Sequence, residues 1–248
     1  MTDQPQRREP RPGPNAMTLA GHLMELRRRV IVCVAALAVT CTLAFVLYQH
    51  LLSFMQHPYC DAFPKDCSFY VTSPLDGLSL RFKLAMFGGL ILASPVVLWE
   101  FWRFITPGLK RNEKRYAVPF IVSTITLFLG GCALAYYSFT HALEFLRAIG
   151  GPSLKNIIQP NAYLSLMMLL MVMYGIAFIF PVLLVSLEIA GVVSSAQLTK
   201  WWRPAVIVIT LISAIFTPTG DPFSMLLLMV PLIAFYFLAI GVGKMLHR

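Results

Sequence analysis

Acidic side chains are scarce in this sequence, 11 Asp and Glu against 20 Lys and Arg, so each one bears on what chemistry the chain can do. Glu25 stands in His22-Leu23-Met24-Glu25-Leu26-Arg27-Arg28-Arg29, and Glu113 in Pro107-Gly108-Leu109-Lys110-Arg111-Asn112-Glu113-Lys114-Arg115. Each is a carboxylate set among guanidinium and ammonium groups, so the functional reading is binding of a cation. The plain alternative for Glu25 is an ion pair with Arg29, spaced i, i+4 on a helix and worth a few tenths of a kcal/mol. Glu113 has the same option with Lys110 or Arg111, or a place at a helix start, where the dipole favours an acid.

Other chemistries find little support. His22, His50, His57, His141 and His247 are scattered, no His or Cys grouping has metal-ligand spacing, and neither a Gly-rich phosphate loop nor a nucleophile with its base is present. Neither an enzyme nor a cofactor is expected. Cys33, Cys41 and Cys132 fall in apolar runs and read as core fillers. Cys60 and Cys67 share one polar connection on what orientation makes the oxidising side. That location permits a disulfide, and the sequence leaves open whether the two pair or stay as free thiols.

The elements that must carry these residues follow from composition. The apolar fraction is 58%, the charged fraction 12% and the mean hydropathy +0.72, whereas a soluble domain carries about a quarter charged residues. Between successive charges lie runs from Val30 to Cys60, Leu84 to Trp99, Tyr116 to Leu143, Asn156 to Leu187, Pro204 to Gly220 and Pro222 to Gly243. A helix needs about 20 apolar residues to cross about 30 Å of hydrocarbon, and its backbone satisfies itself there. The runs lack strand alternation, so the expected fold is an all-α membrane protein with six spans. The stretch from Pro204 to Gly243 must hold two helices and the breaker Thr217-Pro218-Thr219-Gly220-Asp221-Pro222. A helix from Pro204 to Phe216 reaches only roughly 20 Å, so the fifth and sixth helices are expected to be short and to sit in a locally thinned bilayer.

Lys and Arg set the orientation. Arg27, Arg28, Arg29, Arg103, Lys110, Arg111, Lys114, Arg115, Lys200, Arg203, Lys244 and Arg248 fall on one side, and only Lys65, Arg81, Lys83, Arg147 and Lys155 on the other. Both termini are therefore expected in the cytoplasm. This bias accounts for the formal net charge of +9 without invoking nucleic acid. On that side, beyond the tail, the acids are Glu25, Glu100, Glu113 and Glu188. Residues 1–16 are Pro- and Arg-rich and read as a disordered cytoplasmic tail ahead of one membrane unit over 17–248. Arg7-Arg8 does not read as an export signal, since Glu9 and Pro10 follow it, no apolar region comes for many residues, and the first run lacks a cleavage site. Thr18 to Arg29 reads as a short surface helix leading into the first span, and the outer connections are expected over Gln56–Leu80 and Phe139–Tyr163.

Taken in order, the His22–Arg29 stretch, Ser94-Pro95-Val96, Phe101-Trp102-Arg103-Phe104-Ile105-Thr106-Pro107-Gly108-Leu109, Asn112-Glu113-Lys114-Arg115, and Phe216-Thr217-Pro218 with Asp221 resemble the TatC family of twin-arginine translocase core subunits, from about Met17 onward. The resemblance implies a receptor in the bacterial cytoplasmic membrane. It would bind the signal peptides of folded cargo through their two arginines, work with TatB and TatA, self-associate among lipid, and draw on the proton motive force. It assigns peptide binding to Glu25 and Glu113, with Arg27 and Phe104 near that surface. Arg suits such a site because its planar fork pairs bidentately with a carboxylate, which Lys cannot copy. Pro58, Pro95 and Pro107 also match family positions and are expected to shape loops or bend helices, and Asp221 to cap the last turn. The sequence departs from the family at Ile179, where a glutamate is common in the fourth span, at Met225, where glutamine is common, and at Leu78, where an aromatic is common. All three bear on how partners dock. The rival reading is a polytopic small-solute secondary transporter, which would show paired repeats and midplane charges.

Overall fold

The computed structural model describes residues 19–62, 67, 69, 73, 75–105, 117–150, 159–189, 191–217 and 221–246. The described residues form helices and no strand. In order these are α1 (Leu19–Val46), α2 (Tyr48–Ala62), α3 (Asp76–Ile105), α4 (Ala117–Gly150), α5 (Pro160–Ile189), α6 (Ser195–Lys200), α7 (Trp202–Phe216) and α8 (Pro222–Leu246). Helices α1, α3, α4, α5 and α8 are long and apolar enough to cross a membrane, and α7 is apolar but only 15 residues long. These six are the spans. The surface helix expected before the first span is the opening of α1 itself, which runs unbroken from Leu19.

Three expectations change. The apolar run from Val30 to Cys60 is two helices, broken at Leu47, and α2 holds its own against α4: Tyr136 Oη donates to the Phe54 carbonyl at 2.8 Å. That carbonyl is available because Pro58, four residues on, has no N–H to give it. The outer connection expected from Phe139 is helical to Gly150, since α4 runs 34 residues, about 50 Å and well beyond the hydrocarbon. Shortness in the last pair belongs to α7 alone; α8 runs 25 residues, because past Gly243 nothing in Lys244-Met245-Leu246 breaks a helix.

Helices α4 and α5 meet closely through small residues. A Cβ on Gly131 would sit 2.7 Å from the Tyr174 carbonyl oxygen, and Cys132 Sγ donates to the Met171 carbonyl at 3.3 Å. Close backbone approach of this kind is how membrane helices gain dispersion energy where lipid offers no hydrophobic contrast. Helix α8 is tied to α5 by Tyr174 Oη donating to the Ser224 carbonyl at 2.6 Å. Cys60, near the end of α2, is joined to Cys67 in a disulfide with Cα atoms 4.8 Å apart, and Phe69 packs on Tyr59 and Tyr163 at 5.1 and 5.6 Å between ring centroids.

Candidate functional site

Helices α1 and α3 run antiparallel, and one contact fixes their register. Gly89 lacks the side chain whose Cβ would lie 2.7 Å from Cys41 Cα, so the backbones approach closely and Thr40 Oγ1 donates to the Gly89 carbonyl at 2.9 Å. Equal numbers of residues separate Thr40 from Arg29 on α1 and Gly89 from Glu100 on α3, about 16 Å along each axis. Arg29 and Glu100 therefore arrive at the same level. Arg29 Nη1 donates to Glu100 Oε2 at 3.1 Å, and Nη2 donates to Glu25 Oε1 one turn earlier on α1.

The end of α3 is held from the other side as well. Trp102 is 2% exposed; its Nε1 donates to Thr124 Oγ1 of α4 at 2.8 Å and its ring stacks on Phe120 at 5.7 Å. Midway along α3, Pro95 cannot donate to the Ile91 carbonyl, and Ser94 Oγ does so instead at 2.7 Å, so α3 continues through the proline with that acceptor satisfied. The result is a rigid pair of helix ends around a pocket of 230 Å³ lined by Glu25, Arg28, Arg29, Val32, Glu100 and Arg103. Three guanidiniums and two carboxylates in so small a space make a site for charge exchange.

A model of the family described as "Sec-independent protein translocase protein (TatC)" matches residues 21–231. The chain belongs to the TatC family. It is 33% identical over 243 residues to the protein of that name from Frankia casuarinae, covering 94% of this chain and 67% of that one. The Aquifex aeolicus protein is 33% identical over 94% of this chain and 97% of its own length. A solved structure described as the twin arginine translocase receptor TatC, in DDM, superposes with a TM-score of 0.76 at 32% identity, over 90% of this chain and 99% of that one. Membership places the chain among membrane-embedded components of a protein translocase, neither enzymes nor solute transporters.

The residues that the sequence singled out are distributed as follows. Glu25 is in the pocket; Arg27 lies exposed beside it on α1, and Phe104 is half-buried on the last turn of α3. Glu113 and Pro107 lie outside the described residues. Asp221 is fully buried and accepts the Ser224 backbone N–H at 2.7 Å with Pro222 opening α8, the usual chemistry of a helix start. Leu78 is exposed near the N-terminal end of α3, and Met225 is half-buried on the first turn of α8. Ile179 lines a groove of 270 Å³ between α5, α7 and α8. Glu188, one of the four acids that the sequence assigned to the basic side, is fully buried. The residue that sequence reasoning missed is Glu100. Its scarcity was the available signal, but nothing in the local window says that it meets Arg29, 71 positions away.

Proposed function

We propose that this chain is the signal-peptide receptor subunit of a twin-arginine protein translocase, set in the bacterial cytoplasmic membrane with both termini in the cytoplasm. Residues 17–248 act as one six-span unit, and residues 1–16 as a tail outside it. The site is the acid pocket at the basic face: Glu25 and Glu113 each take one guanidinium of a twin-arginine peptide, with Arg27 and Phe104 flanking, while the peptide's apolar stretch lies along the helices. The observation that carries this is that, among the described residues, the α1–α3 pocket puts carboxylates at the basic end of the lipid-buried bundle and already binds a guanidinium. Membership of the TatC family supports the same reading. TatB and TatA, as single-span partners, would dock along the helices, with Leu78, Ile179 and Met225 deciding where. Folded cargo follows its signal peptide, and transport draws on the proton motive force.

The test is photo-cross-linking of a twin-arginine peptide to membranes carrying the full chain. Replacing both acids, Glu25→Gln with Glu113→Gln, is expected to reduce cross-linking about tenfold or more, because two charge-assisted bidentate contacts are lost. Undiminished cross-linking in the double variant would remove these residues from the site.

A further inference from the structure

The place that a guest guanidinium would take on Glu25 is filled, in this structure, by a guanidinium of the chain itself. Arg29 bridges Glu25 and Glu100, and the three side chains are 13%, 23% and 15% exposed. The Glu25–Arg29 pair would form on any isolated helix. The third member comes from α3, and its presence depends on the close α1–α3 contact at Gly89. Arg28 and Arg103 line the same wall, so among the described residues the pocket holds one more cation than anion. A guest cation that simply adds to this wall meets net repulsion, whereas one that replaces Arg29 on Glu25 does not, provided that Arg29 keeps an acid of its own.

We infer that Glu100 is a further acid of the peptide site and Arg29 its internal occupant: an arriving arginine takes over Glu25 while Arg29 stays on Glu100. This rests on the receptor reading above and states how that site admits its ligand. The exchange conserves charge at Glu25 and replaces one guanidinium N–H donor by another. Glu100 keeps the displaced Arg29 from becoming an uncompensated, largely buried cation, a far costlier state than a broken surface pair. A lysine guest meets the same displacement cost, and its ammonium, a point donor, gains less from Glu25 than a guanidinium that can pair bidentately, so the internal occupant raises the threshold for both cations and the arginine peptide clears it first.

The experiment uses the full chain in detergent micelles and two fluorescent peptides, one with two consecutive arginines and one with two lysines in their place, with binding read by anisotropy. Arg29→Gln removes the internal occupant from Glu25 and is expected to tighten both peptides about threefold to tenfold, leaving their ratio unchanged. Glu100→Gln is expected to weaken the arginine peptide by about threefold to tenfold, and to have no such effect in an Arg29→Gln background, where no internal arginine remains to be held. Arg29→Lys keeps the positive charge without the fork and is expected to follow Arg29→Gln; it carries the test if the glutamine variant does not fold. Additive effects of the Arg29 and Glu100 substitutions, or arginine-peptide affinity that neither Arg29 variant improves, would overturn the exchange. Glu25→Gln separates the two readings: binding that survives it sinks the receptor site itself, whereas binding lost with it, alongside additive Arg29 and Glu100 effects, sinks the exchange alone.

Discussion

Two concavities of similar size, 230 Å³ between α1 and α3 and 270 Å³ between α5, α7 and α8, solve opposite problems. The first is lined by three arginines, two glutamates and one valine. The second is lined by apolar side chains with one tyrosine, and the hydroxyl of that Tyr236 is spent on the Leu198 carbonyl at 2.8 Å. A charged pocket discriminates only if its groups are held in place, because Coulomb and hydrogen-bond terms change steeply with geometry. That is why α3 is pinned at Trp102, and α1 against it at Gly89. An apolar groove discriminates by shape alone, and small shifts in it cost little. With Ile179 in this groove, its wall is apolar where an acid would have made it polar.

The largest expected effect is at the anchor of the charged pocket. Trp102→Ala should cost about 3 to 5 kcal/mol of stability, from lost packing, read as the midpoint of denaturation in mixed micelles. Arginine-peptide binding should weaken with it; a destabilised protein that binds normally would separate the anchor from the site. Ile179→Glu attacks the other region, putting a carboxylate into an apolar wall at a cost of about 2.5 to 3.5 kcal/mol without affecting peptide binding at the basic face. A matching loss of binding would show that the two concavities are coupled. Next comes Gly89→Ala, where the new Cβ meets the Cys41 backbone, for about 1 to 3 kcal/mol. Its sharper readout is weaker binding of the arginine peptide, since α1 and α3 move apart at the level of Arg29 and Glu100. The smallest change is Asp221→Ala, which removes the cap of α8 at the face opposite the charged pocket. It should cost about 1 kcal/mol and leave peptide affinity unchanged.

Much of the architecture was legible because lipid imposes a one-dimensional rule: about 20 contiguous apolar residues per span. The runs that became α3, α5 and α7 could be read directly, and the breaker from Thr217 to Pro222 marked the short α7. The kink at Leu47 could not, because neither glycine nor proline stands there; the break depends on α2 packing against α4, where Tyr136 takes the carbonyl that Pro58 frees. The extension of α4 to Gly150 was missed because helix length beyond the membrane depends on propensity and packing, with no hydropathy signal to follow.

At the site the same division holds. The sequence by itself determined that the chain lives in lipid, where its charges gather, that Glu25 and Arg29 can pair within one helix, and that the motif order is that of the TatC family. These are consequences of composition and of spacing within a single element. Only the tertiary structure decided that Glu100 completes the Arg29 bridge and that a buried indole fixes the end of α3. The reason is that the register between two antiparallel helices is set by close approach at one point, here Gly89 against Cys41 and Thr40, and no local window of sequence contains both sides of that contact.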